Sequence, residues 1–298
     1  MDNKINTLSE FVDAVGGLAR NTSGGFAQNP YGNLVFRGQG GSEWALAPKL
    51  ARPPFTYLDV DEPAELLERE FALLRAFKVR GIAWARQRPE SLLEWMALGQ
   101  HYGLPTRLLD WTTNPLVALF FAVGTVNVSG DREPGDAAVW YHRPTRIDSL
   151  GGFQRRVVDW GTNMSRHVSY SVYDIESVLG PAPDDEMLDL WWIFYDSTTD
   201  AHGMGNLDQG VIYDFFRPPH FDARIAAQEG LFSFTGNPYK PLNEGPGNFE
   251  KLIIAASARR VIRKELAQSA GISEATLFPG LGGTARSLEE AVVFDQVR

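Results

Sequence analysis

The stretch from Gln100 to Ala122 constrains this chain most. It opens with Gln100-His101-Tyr102-Gly103-Leu104-Pro105-Thr106, continues as Arg107-Leu108-Leu109-Asp110-Trp111-Thr112, and runs into Asn114-Pro115-Leu116-Val117-Ala118-Leu119-Phe120-Phe121-Ala122. Arg107 to Trp111 reads as a strand. Asn114 is a good N-cap, and Pro115 suits the first helical turn, where its missing N–H costs nothing. The helix that follows has a core-grade apolar face. A polar strand end feeding a buried helix implies a layered domain in which ligand-reading side chains lie next to a helix N-terminus.

A second short signal lies some sixty residues earlier. Leu34-Val35-Phe36 reads as a short strand ending at Arg37-Gly38, and Gln39-Gly40-Gly41-Ser42 continues as a tight loop. The planar fork of Arg37 suits a phosphate or a carboxylate, and Gly38 would let a ligand approach the backbone. The alternative for Arg37 is a structural ion pair.

Strand alternation puts Asp110 and Thr112 on one side and Trp111 on the other. The two polar groups can form a ligand rim at a helix N-terminus, which favours negative charge. Asp110 can equally cap that helix or pair with Arg107. His101 suits a structural or ligand-orienting role better than proton transfer. Late in the chain, Gln228-Glu229-Gly230-Leu231-Phe232 reads as the start of a strand, whose regular alternation would let only one of Gln228 and Glu229 face a cleft.

The rest of the chain alternates helical and strand patterns. Helical spacing runs over Ser9–Leu18, from Pro63 through Phe77, from Pro89 to about Gly99, over Ala258–Gln268, and in short steps at Ser273–Pro279 and Ser287–Ala291. Strands are expected at Ala137–Tyr141, from Val211, before Phe234 and at Leu252–Ile254. Gly280-Leu281-Gly282-Gly283 reads as a loop between helices, since it lacks the strand context of a dinucleotide fingerprint. From about 151 to 210 the pattern weakens. Trp160, Trp191 and Trp192 are scattered there among polar residues, which reads as an irregular insertion. The expected organisation is an N-terminal helical segment at 1–32 and one α+β domain at 33–298. Its sheets are mixed, mostly antiparallel and flanked by helices.

Composition excludes several chemistries. There is no cysteine, so disulfides, thiolate nucleophiles and Cys-ligated zinc are out. The five histidines show no metal-ligand spacing, so no metal is expected. Neither a P-loop nor a Gly-x-Ser-x-Gly elbow is present. A net charge of -9 without a Lys/Arg run argues against nucleic acid as a partner. The start of the chain lacks an apolar signal region and no run is long enough to span a bilayer, so a soluble, cytoplasmic protein is expected.

Phe36-Arg37-Gly38, the block Gln100–Thr112, Arg224-Ile225 with Gln228 and Gly230, and Leu277-Phe278-Pro279-Gly280-Leu281 together resemble the bacterial FRG-domain family, from about Asn33 to Leu288. The motif order is in turn similar to that of Arg-Ser-Glu class ADP-ribosyltransferases, which implies a split-sheet architecture. By that resemblance Arg37 contacts the dinucleotide. Asp110-Trp111-Thr112 stands where Ser-Thr-Ser stands, followed by Ala118 and Phe121-Ala122, and Gln228 or Glu229 takes the place of the catalytic glutamate. Two departures are visible. Asp110 replaces the first serine, and Gln228-Glu229 stands in place of Glu-x-Glu.

The resemblance implies an NAD-dependent ADP-ribosyltransferase-like or NAD-glycohydrolase toxin or anti-phage defence effector, with NAD as substrate. Cleaving the nicotinamide–ribose bond builds positive charge on the ribose, as in glycoside cleavage. Glu229 or Gln228 would contact that ribose, and Arg37, Gly38, His101, Arg107, Asp110 and Thr112 would hold the nucleotide. Trp111 or Tyr102 would offer a stacking wall. A protein acceptor or neutralising partner would complete such a system. The other reading is a non-catalytic module on the same fold that senses a nucleotide or a partner. A nuclease reading would rest on Asp184-Asp185-Glu186 alone, which read as a solvated loop.

Overall fold

Among the described residues seven strands join into one sheet in the order β4-β5-β6-β2-β1-β3-β7. The structure, a computed structural model, describes residues 4–20, 34–55, 63–85, 87–90, 92–124, 135–144, 147–149, 213–218, 223–235, 238, 241–245 and 247–295. The expected insertion at 151–210, with its tryptophans and the acidic triplet, lies outside these residues. Along the described chain come α1 (Leu8–Arg20), β1 (Val35–Gln39), α2 (Pro63–Gly81), α3 (Leu92–His101), β2 (Leu108–Thr112), α4 (Pro115–Val123), β3 (Ala137–His142) and β4 (Asp148–Ser149). They are followed by β5 (Tyr213–Arg217), α5 (Ala223–Ala227), β6 (Gly230–Thr235), β7 (Glu250–Ile254), α6 (Arg259–Ser269), α7 (Glu274–Leu277) and α8 (Leu281–Asp295).

The sheet is mixed and mostly antiparallel, as expected, with only β4 and β5 parallel. Its ladders are uneven. β2 and β6 share five register pairs, as do β1 and β3, and β3 and β7. β1 and β2 share one, Phe36 with Thr112. Beyond that pair the two strands diverge. The sheet is therefore two half-sheets, β4-β5-β6-β2 and β1-β3-β7, hinged at one residue pair.

Each half-sheet carries its own helices. Phe71, Leu74, Leu93, Trp95 and Met96 from α2 and α3 pack on Leu108, Phe216, Phe232 and Phe234. Phe11 and Val15 of α1, the apolar face of α4, and Ile262 and Leu266 of α6 pack on Phe36, Ala137, Val139 and Ile254. The N-terminal helix thus joins the main core, and Ile5 extends this contact by bridging to Ile254. On the opposite face a third cluster crosses the hinge. Val35, Ala138 and Trp140 from one half meet Leu109, Trp111, Phe215 and Leu231 from the other. That continuous apolar face holds the halves together while the helical face stays divided.

Buried ion pairs lock the helices in place. The Arg107 guanidinium donates from Nε to Glu70 of α2 at 3.0 and 3.1 Å, and its ion pair with Glu70 is almost fully buried. Arg263 of α6 binds Glu274 at 2.9 Å and Glu290 at 2.7 Å, and donates to the carbonyl of Phe120 in α4. α8 begins at Leu281, so Gly282 and Gly283, read as loop, belong to its first turn, and Gly280 stands just before it. A Cβ on Gly283 would lie 1.9 Å from the carbonyl oxygen of Phe278. The close docking of α8 on α7, invisible to local pattern, accounts for the glycine. Among the described residues no helix is long and apolar enough to cross a membrane.

Two outcomes follow. Glu70→Gln leaves the Arg107 charge buried without its partner and should cost about 3–5 kcal/mol by urea unfolding. His142 is buried, stacked on Phe249 at 4.2 Å, and burial holds its pKa below the ordinary 6.5. The unfolded chain therefore takes up a proton as pH falls below 6.5 while the folded chain resists it, so stability falls through that window. The loss of unfolding free energy between about pH 7.5 and pH 5 should be smaller in His142→Phe than in the parent.

Candidate functional site

Where β1 and β2 part, a cleft of about 440 Å³ opens between the two groups of helices. That is within the roughly 300–1,000 Å³ usual for small-molecule sites. β1 supplies Arg37 and Gly38, β2 supplies Asp110 and Thr112, and α3 supplies Gln100 and His101 from one side. Phe121 of α4 faces it from the other side, and Arg224, Gln228 and Phe278 close the far end.

Arg37 spans the split. Its Nη1 donates to the backbone carbonyl of Asp110 at 2.6 Å and lies 3.7 Å from Asp110 Oδ2. A continuous ladder would satisfy a strand carbonyl with a backbone N–H; here a guanidinium does so. Nε of Arg37 is buried and has no hydrogen-bond partner among the described residues. Burial pushes the Arg37 pKa down to about 10, Asp110 partly offsets this, and the nearby positive charge of Arg52 adds to it. Arg52 is lowered by burial as well, with Asp110 again opposing the shift. Both remain cations at neutral pH, held where an incoming anion would relieve the cost of burial.

Among the described residues Asp110 is the one carboxylate lining the cleft, beside Arg37, Arg52 and Arg224. Its side chain is more than half exposed. Gln100 Nε2 donates to its Oδ2 at 2.9 Å, and Gln100 Oε1 accepts from the Thr106 hydroxyl at 2.7 Å. Asp110 therefore neither caps α4 nor pairs with Arg107. Asn114 caps α4 by accepting from the N–H groups of Leu116 and Val117.

Several expected site residues have structural duties instead. Arg107 does not line the cleft; Glu70 holds it in the core under α2. Thr112 lines it, but its hydroxyl is engaged, donating to the carbonyl of Gln228 at 2.7 Å and accepting from the N–H of Asn114. Gly38 serves packing more than ligand approach. A Cβ there would lie 1.9 Å from the Ala118 carbonyl oxygen and 2.5 Å from the Ala122 nitrogen, so α4 lies directly on the strand.

Gln228 and Glu229 part ways at the end of α5. The segment is a helix terminus rather than a strand, and Glu229 adopts φ 47°, a left-handed conformation that ends the helix. Gln228 lines the cleft and donates to the carbonyl of Leu277 at 3.1 Å. Glu229 does not line it. Its carboxylate accepts from Thr113 Oγ1 at 3.1 Å and Asn114 Nδ2 at 3.0 Å, pinning the loop before α4. No carboxylate thus stands where the late strand faces the cleft.

The aromatic walls also differ from expectation. Trp111 lines the cleft, but its indole is buried and donates to Ser233 Oγ at 2.9 Å, and Tyr102 does not line it. Trp44, Phe121 and Phe278 line it as well. Trp44 is 58 % exposed and packs over Gly41, where a Cβ would come within 2.6 Å of its ring. The Arg224 guanidinium lies 4.8 Å from the centre of the Phe278 ring. Gln100, Arg224 and Phe278 sit in stretches that stand out in the sequence, although none shows by pattern that it faces a cleft. Trp44 and Arg52 carry no local signal, because the loop around them sets their position. Among the described residues no three His, Asp or Glu side chains gather as a metal site would require.

Residues 32–130, about a third of the chain, match the family model of the FRG domain. The chain thus carries an FRG domain that runs from the start of β1 past α4 and includes Arg37, Gln100, His101, Asp110 and Thr112. Arg224, Gln228 and Phe278, at the far end of the cleft, lie beyond it. No curated protein and no solved structure matches the chain.

Gly38→Ala tests the strand–helix contact at the hinge. The added methyl meets helix backbone, so the variant should lose roughly 3 kcal/mol or more in urea unfolding, or fail to fold.

Proposed function

We propose that the cleft binds a nucleotide, with NAD the first candidate. The observation that carries this reading is the combination at the split: among the described lining residues, three arginines and one carboxylate, with Trp44, Phe121 and Phe278 around them. Guanidinium groups suit phosphate oxygens, and aromatic faces suit a base. In a chain of net charge -9, a local concentration of cations directs an anion to this place rather than to the surface at large. The resemblance to Arg-Ser-Glu ADP-ribosyltransferases, in which the strand-end arginine contacts the dinucleotide, points to NAD among nucleotides.

Binding without rapid turnover is the form of this reading that the geometry favours. A carboxylate stabilises a developing ribose cation far better than an amide. Gln228 occupies the late position, and Glu229 is committed to Thr113 and Asn114. The sensing module therefore takes precedence over the toxin or transferase. A second reading, an NAD-consuming effector, rests on Asp110 alone, the carboxylate that the cleft does present.

Calorimetric titration with NAD should show saturable binding, weakened about tenfold or more in Arg37→Ala by loss of a charge-assisted contact. A fluorogenic NAD analogue incubated with the same samples separates the two readings. Signal release that disappears in Asp110→Asn would favour the effector. Absence of saturable binding by the parent protein would sink both.

A further inference from the structure

We infer that Asp110 reads the sugar hydroxyls of the bound nucleotide, so that the cleft selects ribonucleotides carrying a free vicinal diol beside their phosphates. The inference rests on the nucleotide reading above and goes beyond it by naming the ligand's second recognition element. Asp110 helps to hold Arg37 charged, yet towards a phosphate alone its carboxylate is repulsive. A ligand combining anionic oxygens with hydroxyl donors matches both.

The orientation of Asp110 supports this role. The N–H of Leu108 donates to Thr106 Oγ1 at 3.2 Å, the Thr106 hydroxyl donates to Gln100 Oε1 at 2.7 Å, and Gln100 Nε2 donates to Asp110 Oδ2 at 2.9 Å. Each donor and acceptor in this chain is fixed by its neighbour, which sets the direction of the Gln100 amide. Oδ2 also faces Arg37 Nη1 at 3.7 Å. Oδ1 takes no hydrogen bond from the described residues, and the side chain stays 57 % exposed on the cleft wall. The protein thus anchors one carboxylate oxygen and leaves the other for a ligand hydroxyl. Gln100 and Thr106 are positioning residues. They hold the carboxylate at one angle, so that its lone pairs are presented without an ordering cost when the ligand arrives.

Hydroxyl recognition by a carboxylate carries a further consequence. A phosphate on the sugar hydroxyl would bring a dianion against Asp110, so the cleft should reject 2′-phosphorylated nucleotides as well as deoxy ones.

The test uses the full chain and four probes, namely ADP, 2′,3′-dideoxy-ADP, adenosine 2′,5′-bisphosphate and inorganic pyrophosphate, titrated by calorimetry. The parent protein should bind ADP about 10- to 100-fold more tightly than the dideoxy analogue, the range for a hydrogen bond to a charged group. The bisphosphate should bind more weakly than ADP. In Asp110→Asn the preference for ADP over the dideoxy analogue should fall to roughly threefold or less, while pyrophosphate binding holds or tightens because a repelling charge is gone. That opposed pair of changes is one that a merely structural Asp110 would not produce. Gln100→Leu should likewise blunt the preference for ADP over the dideoxy analogue. Equal affinity of the parent for ADP and its dideoxy analogue would overturn the inference and leave the nucleotide reading standing. No binding of any probe would overturn both.

Discussion

The fold depends on a hinge of one residue pair. Phe36 and Thr112 are the single point at which the two half-sheets share a register. Were β1 and β2 paired along their length, the helices of both halves would pack over one continuous surface and no cleft would form. The division survives because the opposite face is continuous, with Val35, Trp140, Trp111 and Leu231 burying one another across the hinge. Gly38 sets the depth. With no Cβ, it lets α4 lie on β1 backbone to backbone and brings Phe121 to the rim of the opening.

Two arginines show how the same side chain acquires opposite duties. Arg37 lies on β1 next to the hinge, and Arg107 stands just before β2. Arg107 meets a buried carboxylate at full hydrogen-bonding distance and belongs to the core. Arg37 is also desolvated, but its nearest carboxylate stands at 3.7 Å and is largely exposed, so the charge is incompletely compensated and its pKa falls. The first arrangement holds α2 on the sheet. The second stores an unmet demand for an anion at the mouth of the split. Residue type alone does not separate them; the partner reached through the fold does.

Glu229 and Gln228 make the same point at the far end of the cleft. Strand alternation predicts that only one of them can face inward, and only one does. The cause is different, because α5 ends with Glu229 in a left-handed turn that carries its carboxylate to Asn114. Glu229 thus stands outside the cleft, and among the described residues Asp110 is the carboxylate that lines it.

Local periodicity and capping chemistry were enough to read most elements directly. Asn114 and Pro115 start α4 where the cap predicts, β1 and β2 lie within a residue or two of their apolar runs, and Asp110 and Thr112 fall on one side of their strand. These features rest on interactions within a few residues, and such interactions are written in the order of the chain. The tertiary structure alone decided which polar groups face the cleft. Glu70 claims Arg107 from 37 residues away, Thr113 and Asn114 claim Glu229 across more than a hundred, and Arg52 and Trp44 arrive on a loop without periodicity. The division has a physical reason. Backbone conformation is set largely by near neighbours, whereas the burial and pairing of a charge depend on what the folded chain brings against it.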